Sequence, residues 1–315
     1  GMPSAWGTFS WAPLPKKSSE DPLKAYRLLS LTDVMYRAMM KILNSRLQTW
    51  LLSQGKLPAH HYGFYQGRNT TMPAFLLWDQ IQHSTFLGDP LYLAFVDLTA
   101  AYDSVDRTKL WQVLLALGLP GPLVRCLQGL YQANTGILDL GPQGTLTIPV
   151  RRGLFQGCPL SPLLFNLLLH DLDSHLDGEP ADVLDPCHRL EGCHLGYADD
   201  LVLLSSSPSR LSSLLSALDG FVRDKGLTIS MDKTQLMMAG PSFGPPPPVP
   251  LHGTLLPWVD SFRYLGMLFT RSGDLTAMGR DRQVKAKSCL MGIFSLLHRL
   301  DLRSSHEAFH LLLST

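Results

Sequence analysis

The sequence predicts an α+β fold in which helices back an antiparallel sheet, and three observations carry that reading. The run YLAFVDL (Tyr92 to Leu98) is short, apolar and β-favouring, and reads as a buried strand that ends in one carboxylate, Asp97. HLGYADDLVLLSS (His194 to Ser206) sets Asp199 and Asp200 between two apolar arms, the pattern of a β-hairpin with both carboxylates at or beside its turn. Segments of helical spacing lie between and after these runs. The resulting order of strand, helix, hairpin, helix, strand is that of a split β-α-β sheet.

Taken in order, the start through PLPKKSSEDPLKAYRLLSL mixes Pro, Ser and charge. Thr32 to Leu52 then has helical spacing in Val34, Met35, Ala38, Ile42 and Leu51, which predicts a helical lobe carrying basic residues. A helix is expected from Arg107 to Leu117, closed by Gly118 and Pro120. Ser161-Pro162 reads as an N-cap with proline in the first turn, opening a helix through Leu163, Leu164, Leu167, Leu168 and Leu172. Ser207-Pro208 repeats that start, and Leu211, Leu214, Leu215, Leu218, Phe221 and Val222 form one stripe before Gly226. GPSFGPPPPVP (Gly240 to Pro250) reads as a stiff loop, because consecutive prolines cannot extend a strand. There is no internal repeat.

With 315 residues, 45% of them hydrophobic, the chain can bury a sizeable core. Its net charge of +1 hides a pattern. Residues 1–68 hold nine Lys or Arg against three Asp or Glu, residues 69–270 eleven against nineteen, and residues 271–315 seven against four. Basic flanks suit a phosphate backbone, whereas an acidic centre repels one unless cations bind there. Five irregularly spaced cysteines point to a reduced compartment. Cys187-His188 and Cys193-His194 could offer four zinc ligands, but their spacing is unusual and ordinary surface or core residues are the better reading. The uncharged stretch from Gly153 to Leu169 holds two prolines, Gln156 and Asn166, so no membrane span is expected there, and no basic-then-apolar signal peptide is expected over the first residues given.

Three carboxylates gathered at strand ends would repel by several kcal/mol at an effective dielectric of about 20. Divalent cations relieve that repulsion, and two Mg²⁺ ions roughly 4 Å apart make phosphoryl-transfer machinery. An Asp-Asp pair alone is also a common solvated turn.

Ordered motifs separate these readings. AFVDLTAAYDSVDR, GLFQGCPLSPLLFN, YADD (Tyr197 to Asp200), GLTISMDKTQLM and FRYLG occur in this sequence. Together they resemble the reverse transcriptase domain of non-LTR retrotransposons across nearly the whole chain. The resemblance implies a right-hand polymerase with an antiparallel-sheet palm, helical fingers and a truncated thumb. Fingers would occupy 1–93, the palm 94–270 with a fingers insertion near 107–152, and a partial thumb 271–315. Asp97 and Asp199 would hold two Mg²⁺ ions, with Mn²⁺ as a possible substitute, Asp200 would complete the cluster, and the peptide oxygen of Leu98 would join the ligands. Tyr102 falls where the family places the ring that rejects a 2′-hydroxyl; its other reading is a core aromatic. Gln156 and Gly157 match a template and nucleotide contact, while Ser161 and Pro162 are structural. Lys233 matches a lysine that protonates departing pyrophosphate, and is otherwise a solvated charge. Phe262, Tyr264, Leu265 and Gly266 match the primer grip, or form a plain hairpin. Lys16 or Lys17 and Arg27 would clamp the triphosphate, and Arg68 in GFYQGRNTT would contact template or nucleotide, with solvated charge as the alternative for each.

The implied reaction is RNA-directed DNA synthesis from an RNA template, a DNA primer and dNTPs. No membrane partner is implied, and the location would be intracellular, in the nucleus if copying occurs at a chromosomal target. Two alternatives stand beside it: a catalytically inactive nucleic-acid-binding remnant, and an RNA-dependent RNA polymerase. YRLLS (Tyr26 to Ser30) departs from the family's YRPIS, and Tyr65 stands where a basic residue is common. On that reading the 315 residues would leave room for neither an upstream endonuclease nor a complete thumb, and no ribonuclease H segment is expected within them.

Overall fold

The structure is a computed structural model that describes residues 4–16, 25–132, 134–176, 192–240 and 244–299. Lys17, Cys187 and His188 lie outside the described residues, as does the part of the expected thumb beyond 299.

After a 3₁₀ turn at Ser4–Gly7, two strands precede the expected helix of the N-terminal lobe: β1 (Thr8–Pro15) and β2 (Tyr26–Leu31) pair antiparallel. Two prolines in β1 are compatible with this. β4 flanks β1 over Thr8–Trp11 and β2 over Ser10–Pro15, so Pro13 and Pro15 lie where β2 is its one neighbour. Helix α1 (Val34–Ser53) follows, capped by Asp33, whose carboxylate accepts from the Met35 and Tyr36 amides. Its buried face is Tyr36, Met40, Leu47 and Leu51. Val34, Met35, Ala38 and Ile42, which the spacing placed inward, are exposed, because this second stripe holds the larger aromatic and better continues along the helix.

Helix α2 (Thr71–Leu87) leads into β3 (Leu91–Val96), then the short α3 (Ala101–Ser104), α4 (Arg107–Ala116) and α5 (Gly121–Tyr131). α4 begins one residue after its cap, Asp106, and ends before Gly118 at φ +87°, close to the expected bounds. Strands β4 (Asn134–Asp139) and β5 (Thr145–Val150) return to the N-terminal sheet, whose order is β2-β1-β4-β5. α6 (Ser161–Leu168) has Leu160 at its N-cap. Ser161 is therefore the first helical residue, and its hydroxyl lies 3.2 Å from Tyr131 Oη rather than capping the helix. The helix also stops short of Leu172. His170 meets the Lys56 carbonyl and Asp171 meets Lys225, and a separate α7 (Leu172–Leu176) begins after them.

The central sheet is built from β3, β6 (His194–Tyr197), β7 (Asp200–Ser205) and β8 (Gln235–Ala239), in the order β6-β7-β3-β8 and antiparallel throughout. Helix α8 (Pro208–Asp224) connects β7 to β8, with Ser207 Oγ accepting from the Arg210 amide as its cap. β3 is central and buried on both faces. Ala94 and Val96 join the core formed with α4, α6 and α8, while Leu91, Leu93 and Phe95 join a second core with α2. Beyond the sheet lie β9 (Pro250–Leu251) and β10 (Thr254–Leu255), the hairpin of β11 (Ser261–Tyr264) and β12 (Met267–Thr270), and α9 (Leu275–Arg299). Pro250, expected in a loop, opens the two-residue β9. Among the described residues no helix is long and apolar enough to cross a membrane.

Candidate active site

The β3–β7 register pairs Val96 with Leu201, and the β6–β7 register pairs Tyr197 with Asp200. One step beyond Val96 and Leu201 puts Asp97 beside Asp200. Ala198 and Asp199 form the turn, and Ala198 takes φ 56°, the positive φ that primed hairpin turns use. The loop before β8 laces to the same end of the sheet. Ser230 N donates to the Asp97 carbonyl at 2.8 Å and Thr99 N to the Thr228 carbonyl at 2.9 Å, leaving the peptide oxygen of Leu98 outside that pair of bonds. Lys233, on this loop, lies 3.1 Å from Asp97 through Nζ and Oδ2.

The acids burden one another. Burial, then the charge of Asp97, raises the Asp199 carboxyl above its ordinary range, against the opposing charges of Arg27 and Lys233. Asp200 is pushed up to about 6 by desolvation and then by Asp199 and Asp97. Carboxylates that hinder one another's ionisation make an all-oxygen donor set for hard divalent cations, so the residues present fit magnesium.

Tyr102 stands on α3 with its ring stacked on Phe165 at 5.1 Å and 15°. Burial raises its hydroxyl well above the usual tyrosine range, and the charge of Asp199 adds to the shift. Gly153 holds α3 at close range: an added Cβ would lie 2.8 Å from the Asp103 carbonyl oxygen. Gln156 Nε2 donates to both Asp103 oxygens at 3.0 Å, and Ser30 N donates to the Gln156 carbonyl at 2.7 Å. Gly157 takes φ +98° beside Ser30. Desolvation raises the Asp103 carboxyl against the pull of Gln156, Lys16 and Arg27, and Arg27 also acts on Asp199. The expected nucleotide residues Lys16, Arg27, Tyr102, Gln156 and Gly157 thus border one region.

FRYLG forms the β11–β12 hairpin, with Leu265 at φ 47° and Gly266 at φ 79° in its turn. Phe262 stacks on Phe95 of β3 at 4.0 Å, and Tyr264 is buried near Asp200. Between the hairpin and the sheet opens a cleft of about 400 Å³, lined among others by Asp97, Asp200, Lys233, Phe262 and Tyr264.

Residues that the sequence reading passed over hold the turn. His60 and Tyr62 exchange backbone bonds with Gly196, so the loop adds an edge to β6. His61 Nε2 lies 3.1 Å from the Ala198 carbonyl oxygen, and Asn166 of α6 donates to the Gly63 carbonyl. A polar Asn166 inside an otherwise apolar helix was the available signal, since a buried amide requires a partner. Arg68 turns into this loop: Nη1 donates to the Pro58 and His61 carbonyls, and the guanidinium lies 5.4 Å from the Tyr62 ring centre and 5.6 Å from that of Tyr65. The cluster residues Asp97, Asp199, Asp200 and Lys233 therefore come together with Tyr102, while Arg68 is engaged in the supporting loop.

Comparison with known proteins adds an independent line. Residues 14–269 match the family described as reverse transcriptase (RNA-dependent DNA polymerase). A retrovirus-related Pol polyprotein from the type-1 retrotransposable element R2 of Popillia japonica is 26% identical over 281 residues, covering 86% of this chain and 39% of that protein. A putative 115 kDa protein in the type-1 retrotransposable element R1DM of Drosophila melanogaster is 28% identical, over 80% of this chain and 23% of its own length. The chain thus spans less than two fifths of each of these relatives. Telomerase from Candida tropicalis, solved in complex with a TWJ fragment of telomeric RNA, superposes with a TM-score of 0.61 at 11% identity, over 87% of this chain and 45% of that one.

Proposed function

This chain belongs to the reverse transcriptase (RNA-dependent DNA polymerase) family, and we propose that it extends a DNA primer on an RNA template by adding deoxynucleotides to the primer 3′-hydroxyl. Its fold is the α+β right-hand polymerase. The observation that carries the proposal is the register that sets Asp97 beside Asp200 with Asp199 in the adjoining turn.

Asp97, Asp199, Asp200 and the Leu98 peptide oxygen would hold two Mg²⁺ ions, with Mn²⁺ able to replace them. When bound, the metal supplies the positive charge that phosphoryl transfer requires. The protein's own residues do the rest. Tyr102 bounds the sugar side of the site, supported from behind by Phe165, and its ring excludes a 2′-hydroxyl. Lys16 and Arg27, on the rim near Asp103, meet the triphosphate, and Lys17 extends that basic run. Gln156 and Gly157 form the floor under the paired bases. Lys233 holds a proton beside Asp97 that can pass to the departing pyrophosphate. The β11–β12 hairpin with Phe262, Tyr264, Leu265 and Gly266 supports the primer end across the cleft, and Arg68 stiffens the loop behind the turn.

Residues 1–93 are assigned to fingers, 94–270 to palm and 271–315 to a partial thumb. The shared sheet of β1, β2, β4 and β5 supports counting 107–152 with the fingers. Copying into a chromosomal target would place the activity in the nucleus. The test is extension of a DNA primer annealed to RNA with dNTPs and Mg²⁺, run beside Asp199→Ala. Extension that disappears in the variant supports the assignment; extension that survives the substitution rejects it.

A further inference from the structure

At the β6 edge of the central sheet, the same loop and hairpin bring together a second set of donors. His60 precedes the loop edge on β6, Asp173 lies on α7, and His194 begins β6. His194 Nε2 is 3.1 Å and His60 Nδ1 3.6 Å from Asp173 Oδ1, and the three donor atoms lie within 4.8 Å of one another. Zinc–nitrogen and zinc–oxygen bonds of about 2.1 Å in tetrahedral geometry put neighbouring donors about 3.4 Å apart. The two distances to Asp173 straddle that value.

The setting is that of a built site. His60 is 6% and His194 1% exposed, so neither ring is a surface histidine. Asp173 Oδ2 accepts from Ala59 N at 2.7 Å, which fixes the carboxylate and leaves Oδ1 facing the two rings. The His60 ring packs on Gly192, where an added Cβ would come within 2.5 Å of it. The Asp173 side chain is 19% exposed, which leaves an approach for a fourth ligand from solvent. Cys193, weighed with His194 as a zinc ligand from sequence, packs instead in the hydrophobic core, as alternation along a strand requires.

We propose that His60, Asp173 and His194 bind a divalent transition-metal ion of the zinc class that ties the 59–63 loop, α7 and β6 together behind the active-site turn. Two imidazoles and one carboxylate suit zinc better than magnesium, whose preference is for oxygen donors. The site is separate from Asp97, Asp199 and Asp200, and the proposal does not depend on the polymerase reading.

The experiment uses the full chain carrying Asp97→Asn and Asp199→Asn, which removes the acidic cluster as a competing ligand set. After chelation and dialysis the protein is titrated with Zn²⁺ alone, and with Co²⁺ as a spectroscopic substitute. The expected result is one equivalent of zinc per chain, a rise in thermal midpoint on loading, and the intense visible bands of four-coordinate Co²⁺. His60→Gln and Asp173→Asn should each weaken binding at least tenfold. A chain that takes up no zinc and shows no thermal shift would reduce the cluster to a histidine–aspartate ion-pair network and overturn the proposal. A thiolate charge-transfer band in the cobalt spectrum would also overturn it, by placing the ion on cysteine. If a variant fails to fold, the stoichiometry and spectrum of the chain with this cluster intact decide alone.

Discussion

Lys233 Nζ sits 3.1 Å from Asp97 Oδ2, so the residue proposed to release a proton is in direct contact with a proposed metal ligand. An ammonium there competes with a cation for the same oxygen. Lys233→Met should therefore lower the Mg²⁺ concentration needed for half-saturation while reducing the single-turnover extension rate by about 10²-fold, the usual scale for a lost general acid. Lys233→Arg should keep the competition and lose the rate. An unchanged rate in Lys233→Met would remove the proton-transfer role.

Tyr102 is held by its stack on Phe165. Tyr102→Ala should raise incorporation of ribonucleotides relative to deoxynucleotides by tenfold or more, read as the ratio of kcat/KM for the two substrates. Tyr102→Phe keeps the ring and should keep the discrimination. Equal selectivity in all three proteins would make the tyrosine an ordinary packing residue.

Gly63 touches the turn through backbone alone: a Cβ there would lie 2.5 Å from Ala198 N and 3.2 Å from the Tyr197 carbonyl carbon. Neither neighbour is a side chain that can swing aside. Gly63→Ala should cost about 1–3 kcal/mol in denaturant unfolding and lower kcat through the displaced Asp199. Wild-type stability and rate would show that the loop does not support the turn.

Burial, aided by the charge of His194 and opposed by the Ala198 carbonyl, lowers His61 from 6.5 to about 4. The folded protein thus holds this imidazole neutral, whereas the unfolded chain protonates it near 6.5. Between those values the unfolded state binds more protons, so stability falls as pH drops from about 6.5 to 4. His61→Gln, which retains a donor to the Ala198 carbonyl, should flatten that part of the stability–pH curve, measured by chemical denaturation at several pH values. The same slope in the variant would assign it to other groups.

How much could be read from the letters follows from which interactions are local. Asp97, Asp199 and Asp200 were legible because each stands at the end of an apolar run, and strand alternation and turn chemistry act within a few residues. Asp33 and Asp106 cap their helices where the sequence allows, but the inward face of α1 was misjudged, since two stripes were available and only tertiary packing chose Tyr36, Met40, Leu47 and Leu51. β1 was hidden by its prolines, which are tolerated only because of the particular length over which β4 flanks it. The loop that grips the turn was illegible for another reason. His60, His61 and Gly63 act on partners more than a hundred residues away, at Asp173, His194 and Ala198.

The sheet that joins β1 to β4 has a bearing on how the chain is made. Phe9 and Trp11 lie in a strand whose parallel partners, Gly136 and Leu138, leave the ribosome more than a hundred residues later. During synthesis β1 can form its hairpin with β2 but keeps one edge open until β4 emerges, and such non-local pairing is slow. That interval is when a nascent copy of this protein is most exposed to edge-to-edge association, and it predicts that slowing elongation between residues 31 and 134 would increase aggregation during translation more than slowing it after β5.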